Sequence, residues 1–139
     1  MRSAKALKIG VCKVQIRVYY EDTDTGGVVY HSNYLNFCER ARSEVFFTKG
    51  LSPFLDSGHF VARKLEASYI ASAKLGDELS ITTELLEMRA ASFRLLQTIY
   101  REDKKIFELT ITLAYITFEA RPQKIGEDTK ELILSLFKS

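Results

Sequence analysis

"VYYEDTDTGGVVYHSNYLNF", Val18 to Phe37, holds both the change of secondary structure and the candidate chemistry of this chain. It gathers Glu21, Asp22 and Asp24, crosses Gly26-Gly27 and reaches His31 through a short apolar run. Just before it, "VQIRVYY" alternates at Val14, Ile16 and Val18, which predicts a half-buried strand. From about Ser32 the spacing turns helical. Tyr34, Cys38, Ala41 and Val45 share one face, with Leu35 beside it. Phe37, Phe46 and Phe47 widen that apolar surface, so the helix is expected to be wrapped rather than merely docked. Gly50 and then Pro53 supply its stop.

The second half has a different texture. "FVARKLEASYI", "ELSITTELLEM", "FRLLQTIYR" and "IFELTITLAYITFEA" are rich in β-branched and aromatic residues, and turn-like "KLGDE", "RAAS" and "REDKK" separate them. Four strands are expected, the last one long. "EARPQKIGEDTK" is polar and is expected to end the compact part, leaving 121–139 as a C-terminal tail. "TKELILSLF" within it fits either a short helix or a final strand. One strand, one long helix and a run of antiparallel strands make an α+β order, with the helix packed on a sheet face. A second copy could then extend the sheet edge to edge.

Length and composition bound the rest. The 139 residues favour a single domain over 1–139, with 1–11 as an N-terminal arm. Hydrophobic residues make up 46% and charged residues 27%, a globular rather than disordered balance. A net charge of +2 is too weak to argue for nucleic acid. Cys12 and Cys38 can build neither a disulfide framework nor a metal set, and are read as reduced, which suits the cytoplasm. The basic start lacks the apolar run of a signal peptide, and no segment has the length to span a bilayer.

Three readings compete for the opening stretch. "DTDTGG" begins like a calcium loop, but Gly26 stands where a third oxygen ligand belongs and Asn33 where the bidentate glutamate belongs. No metal is therefore expected. Acids beside glycines also serve as plain turn chemistry, the preferred account of Glu21 and Asp22 and an even alternative for Asp24. The catalytic reading starts from the first amides of the helix, near His31, which have no internal partner and carry the positive end of its dipole. A carboxylate just ahead of them, Asp24, would face the same small volume and act as nucleophile or general base. A carbonyl held between them suits acyl transfer, thioester hydrolysis in particular.

The long motif "RVYYEDTDTGGVVYHSNYLNFCERARSEVF" resembles the signature of hotdog-fold acyl-CoA thioesterases of the 4-hydroxybenzoyl-CoA thioesterase family. It is most similar to their Tol–Pal-associated, YbgC-like branch. "KLGDELSI" also looks like that family's third-strand start. The resemblance implies a hotdog fold, a curved antiparallel sheet wrapped around one long central helix. It implies homodimers, often paired into tetramers, with active sites between subunits. It implies an acyl-CoA substrate, no cofactor beyond the coenzyme A of the substrate itself, and a role in lipid metabolism, in the cytoplasm or peripheral to the inner membrane. Asp24 matches the catalytic carboxylate, Tyr20 and His31 the tyrosine and histidine associated with it, and the His31 backbone amide the donor that polarises the thioester carbonyl.

Each residue has a plainer account. Tyr20 could be a strand aromatic and His31 a helix-start residue. Asn33, a candidate for substrate binding, could instead fix the turn. Cys38 falls on the apolar face and is expected in the core, Glu39 and Arg42 are expected to pair along the helix, and His59 is expected in a loop. Arg89 and Ser92 in "MRAASF" are candidates for the coenzyme A phosphates, with Arg63 or Lys64 behind them. Two rivals to hydrolysis remain at this point: a hotdog hydroxyacyl-thioester dehydratase, and a non-catalytic module that binds acyl carrier protein or a membrane complex.

Overall fold

The computed structural model describes residues 12–137, so the expected arm at 1–11 lies outside the described residues. Strand β1 (Cys12–Arg17) leads through a single 3-10 turn (Tyr20–Asp22) and a glycine hairpin into helix α1 (Asn33–Phe47). Strands β2 (His59–Tyr69), β3 (Glu78–Met88), β4 (Ser92–Arg101) and β5 (Lys104–Ile116) follow, then helix α2 (Glu127–Phe137). The five strands form one antiparallel sheet in the order β1-β3-β4-β5-β2. The α+β order read from the sequence is the one observed.

The first strand ends earlier than its alternation suggested. Val18 is fully buried, but its amide bonds the Asp77 carbonyl at 2.9 Å, and Tyr20 belongs to the 3-10 turn. Apolar spacing continues past the point where the backbone leaves the ladder.

Alternation along β3, β4 and β5 puts one face inward. Leu79, Ile81, Thr83 and Leu85 on β3 are buried, with Leu95, Gln97 and Ile99 on β4 and Phe107, Leu109 and Ile111 on β5. Helix α1 lies on this face and buries Tyr34, Phe37, Cys38, Ala41, Val45 and Phe46. The expected helical stripe is the observed one, except that Phe47 is 52% exposed. It sits one residue beyond Phe46, a step of about 100° around the helix, which carries it off the covered face.

The segment expected as a tail belongs to the core. α2 packs on the same sheet face, with the Phe137 ring 5.8 Å from Phe46 and 6.1 Å from Phe93. Ile125, Ile133, Leu136 and Phe137 are buried. The polar run before the helix is a connection whose Ile125 amide bonds the Ala90 carbonyl at 2.8 Å. Polarity of a few residues marked a loop, not the end of packing.

A polar pin crosses the apolar layer between sheet and helix. The fully buried Gln97 donates from Nε2 to the Cys38 carbonyl (2.9 Å) and to Thr83 Oγ1 (3.0 Å), and its Oε1 accepts from Arg42 Nη1 at 2.9 Å. Arg42 is thus engaged inward rather than in the expected ion pair with Glu39. Burial pulls its guanidinium below the ordinary arginine pKa, against the opposing pull of Cys38 and Glu39.

Replacing Gln97 by alanine opens a cavity and strands the Arg42 and Thr83 groups. The expected loss is roughly 2–4 kcal/mol in urea unfolding. A loss below about 1 kcal/mol would mean that apolar contact alone seats the helix.

Candidate active site

The stretch from Tyr19 to Asn33 is shaped by backbone hydrogen bonds around a buried acid. Asp22 is 5% exposed, and its Oδ2 accepts from the Tyr19 amide at 2.9 Å. Its carbonyl accepts twice, from the Tyr30 amide at 3.0 Å and from Asn33 Nδ2 at 2.9 Å. The structural reading of Asp22 therefore holds. Asn33 spends its side chain on this turn and on accepting from Asn36 Nδ2 at 2.9 Å, which engages the amide that was a substrate-binding candidate.

Asp24 occupies the tip. Residues 23–29 form a short hairpin in which Thr23 bridges Val29 and the Asp24 amide bonds the Val28 carbonyl at 2.8 Å. The Gly27 amide closes the tip on the Asp24 carbonyl at 3.0 Å, and Gly27 takes a φ of +82°, where a side chain would be strained. Asp24 Oδ1 accepts from the Gly26 amide at 2.8 Å. One carboxylate oxygen is thus held by the turn, and the residue stays exposed. Turn chemistry and a reactive carboxylate are compatible here, because a carboxylate has two oxygens.

His31 follows the second hairpin arm. It is exposed, and its ring lies 4.4 Å from the Tyr30 ring. The Asn33 amide bonds the Tyr30 carbonyl at 2.8 Å, so His31 and Ser32 are the two central residues of a tight turn. Ser32 stands at the N-cap of α1 but makes no capping hydrogen bond through its side chain. Among the described residues no group accepts from the His31 or Ser32 amides. These donors stand at the positive end of a 15-residue helix.

Tyr20 lies on the 3-10 turn and is 83% exposed. Arg89 and Ser92 sit at the β3–β4 hairpin, whereas the Asp24 hairpin attaches ahead of β3 through Val28 and Lys74. The length of β3, about 30 Å, separates them within one chain. Arg89 is bound instead to Glu87, from Nε at 2.8 Å and Nη2 at 3.2 Å, and Ser92 is buried. Bonds from Arg89 and Arg94 hold the Glu87 carboxyl below the usual carboxylate pKa. Arg63 and Lys64 are exposed on β2 at a register shift. His59 is not in a loop but opens β2, with its ring stacked 5.5 Å from Phe118.

Two contacts near the site escaped the sequence reading, which placed Tyr34 only on the apolar face of the helix. Tyr69, on the last position of β2, donates its hydroxyl to the His31 carbonyl at 2.8 Å. Tyr34 accepts from the Ala73 amide at 3.0 Å, and its ring stacks on Phe107 at 5.2 Å. The spacing of Tyr69 from His31 along the chain carries no signal, since the sheet alone brings β2 to the helix start.

A groove of about 660 Å³ runs between α1 and the β2–β5 side of the sheet, lined among others by Leu35, Glu39, Arg42, Phe60, Leu65 and Ile111. Tyr20, Asp24 and His31 are not in its wall. Leu35 and Asn36, about one helical turn beyond His31, are among its lining residues.

The profile of the thioesterase superfamily matches residues 26–108, more than half of the chain. The chain belongs to this superfamily. The match starts two residues after Asp24, so the superfamily assignment and the catalytic reading of Asp24 rest on different observations. Among curated relatives, the acyl-CoA thioesterase YbgC of Helicobacter pylori is 49% identical over 87 residues, 63% of this chain and 65% of the relative. The alignment thus spans slightly less than two thirds of that relative's length. The acyl-CoA thioesterase YbgC of Haemophilus influenzae is 39% identical over 105 residues, 73% of this chain and 77% of the relative. Among solved structures, a probable thioesterase from Bartonella henselae superposes with a TM-score of 0.79 at 30% identity, over 84% of this chain and 99% of that one. The fold is the hotdog fold of this superfamily.

Cys38 has no place in the chemistry. Burial pushes its thiol up to about 12, with Arg42 only partly opposing, so at pH 8 about one thiol in ten thousand is ionised. Cys38 should resist iodoacetamide in the folded protein at pH 8 and react once urea unfolds it. Rapid native labelling at Cys38, located by peptide mass, would show an open path to the helix underside.

Proposed function

We propose that this protein is an acyl-CoA thioesterase that hydrolyses a thioester to a carboxylic acid and coenzyme A. Two observations carry the reading: Asp24 stands exposed at the tip of the glycine hairpin, and the hairpin leads into an uncapped start of α1 whose His31 and Ser32 amides have no acceptor among the described residues. The names of the curated relatives support it.

In this mechanism the thioester carbonyl oxygen takes a hydrogen bond from the His31 amide, where the helix dipole stabilises the developing oxyanion. Asp24 uses the oxygen not committed to Gly26. It either attacks the carbonyl carbon, forming an anhydride that water then opens, or removes a proton from the attacking water. In both routes the carbon–sulfur bond breaks and the thiolate of coenzyme A leaves and takes up a proton. Tyr20 and the His31 side chain orient the carboxylate or the substrate. The groove from Leu35 onward would take the acyl group, whose apolar walls favour burial of hydrocarbon. No cofactor is required.

The exposure of Tyr20, Asp24 and His31 in one chain fits a site completed by a second copy, so a homodimer or a dimer of dimers is the working assembly. No helix among the described residues is long and apolar enough to cross a membrane, and action in the cytoplasm is part of this reading.

The test is thiol release from short, long and aromatic acyl-CoAs by wild type and Asp24→Asn, after folding of both is checked. The substitution keeps shape and removes charge, and activity should fall about a hundredfold or more. Equal activity in the two proteins overturns the mechanism. Loss with His31→Ala but not with Asp24→Asn would point to a hydroxyacyl-thioester dehydratase. Binding of acyl carrier protein without hydrolysis of any thioester would point to the non-catalytic module.

A further inference from the structure

We propose that Tyr69 is a positioning residue that clamps the His31–Ser32 peptide plane and so aims the Ser32 amide, a second donor beside the His31 amide at the start of α1. The inference rests on the thioesterase reading above and adds a residue to that site.

The His31–Asn33 turn is held from three directions. Asp22 takes the Tyr30 amide and the Asn33 side-chain amide on one side. The Asn33 amide closes the turn on the Tyr30 carbonyl. Neither contact fixes the peptide unit between His31 and Ser32. Central peptides of tight turns are the ones free to rotate, because turn types differ chiefly in their orientation. Here the carbonyl of that unit is the acceptor for Tyr69 Oη at 2.8 Å. Since the carbonyl and the Ser32 N–H lie in one plane and point oppositely, holding the first directs the second.

Tyr69 is itself held. Its ring meets Tyr34 edge-on at 5.5 Å and Phe107 at 5.0 Å, and Tyr34 and Phe107 stack on one another. This three-ring clamp fixes the hydroxyl on the sheet side of the turn. Tyr69 is half exposed, and its partial burial, with Tyr34 and Cys38 nearby, raises its pKa further above the neutral range in which a tyrosine hydroxyl is a donor. Rotation of the peptide would turn the Ser32 donor away from the thioester and bring the His31 carbonyl toward the developing oxyanion that the His31 amide already holds, so loss of the clamp should slow the chemical step rather than weaken binding.

Tyr69→Phe keeps the ring and deletes the donor. Two measurements on the full chain test it. In amide NMR, the His31 and Ser32 resonances should shift or broaden, with those of β5 unchanged; unchanged His31 and Ser32 resonances overturn the clamp whatever the enzyme does. In thiol release, kcat should fall about tenfold with KM within about twofold and the melting temperature within about 2 °C. Unchanged kcat, or a rise in KM alone, overturns the catalytic consequence. If wild type hydrolyses no thioester, the proposed activity fails, and the amide resonances still decide whether Tyr69 holds the peptide.

Discussion

The amide of Gln97 is the contact on which the placement of the helix depends. Apolar burial holds α1 against the sheet but is non-directional, so it tolerates sliding and rotation. Hydrogen bonds are not tolerant in that way. Gln97 stands on β4 and reaches the Cys38 carbonyl, Thr83 on the neighbouring strand and Arg42 one turn farther along the helix. Any shift of the helix would leave one of these buried groups without a partner, at a cost comparable to a sizeable share of a domain's net stability. Helix depth and rotation are thereby tied to one sheet position.

That constraint passes outward to the candidate site. With α1 pinned, its N-terminus projects from the end of the sheet where β2 finishes and β3 begins. Tyr34 then meets the sheet at Tyr69 and Phe107, and the Asp22 turn meets the helix through Asn33. The proposed oxyanion donor is a backbone amide, and the side chains of Asn33 and Tyr69 hold the turn that carries it. A site of this kind keeps its shape only as well as the turn that presents it.

Much of the architecture was legible beforehand. Period-two alternation marked β1, β-branched and aromatic runs between turns marked β2 to β5, and the spacing of Tyr34, Cys38, Ala41 and Val45 marked the buried face of α1. Asp24 and His31 stood out because carboxylate, glycine pair and helix start fall within eight residues. Legibility failed where contacts join distant segments. Arg42 looked like the partner of Glu39, three residues away, and found Gln97 instead. Arg89 looked free for a phosphate and is taken by Glu87. "EARPQKIGEDTK" looked like an end, and the helix after it closes the core.

By itself the sequence determined what depends on neighbours along the chain: the types of β1, α1 and β2 to β5, the inward face of β1 and α1, and the glycine turn that carries Asp24. Local backbone preference and side-chain periodicity are enough for these. The tertiary structure alone decided which strand edge meets the helix start, that Gln97 sets the helix on the sheet, and that Tyr69 reaches the His31 carbonyl across 38 positions of chain. Such contacts form only when sheet order and register bring remote residues together, and no short-range pattern encodes that meeting.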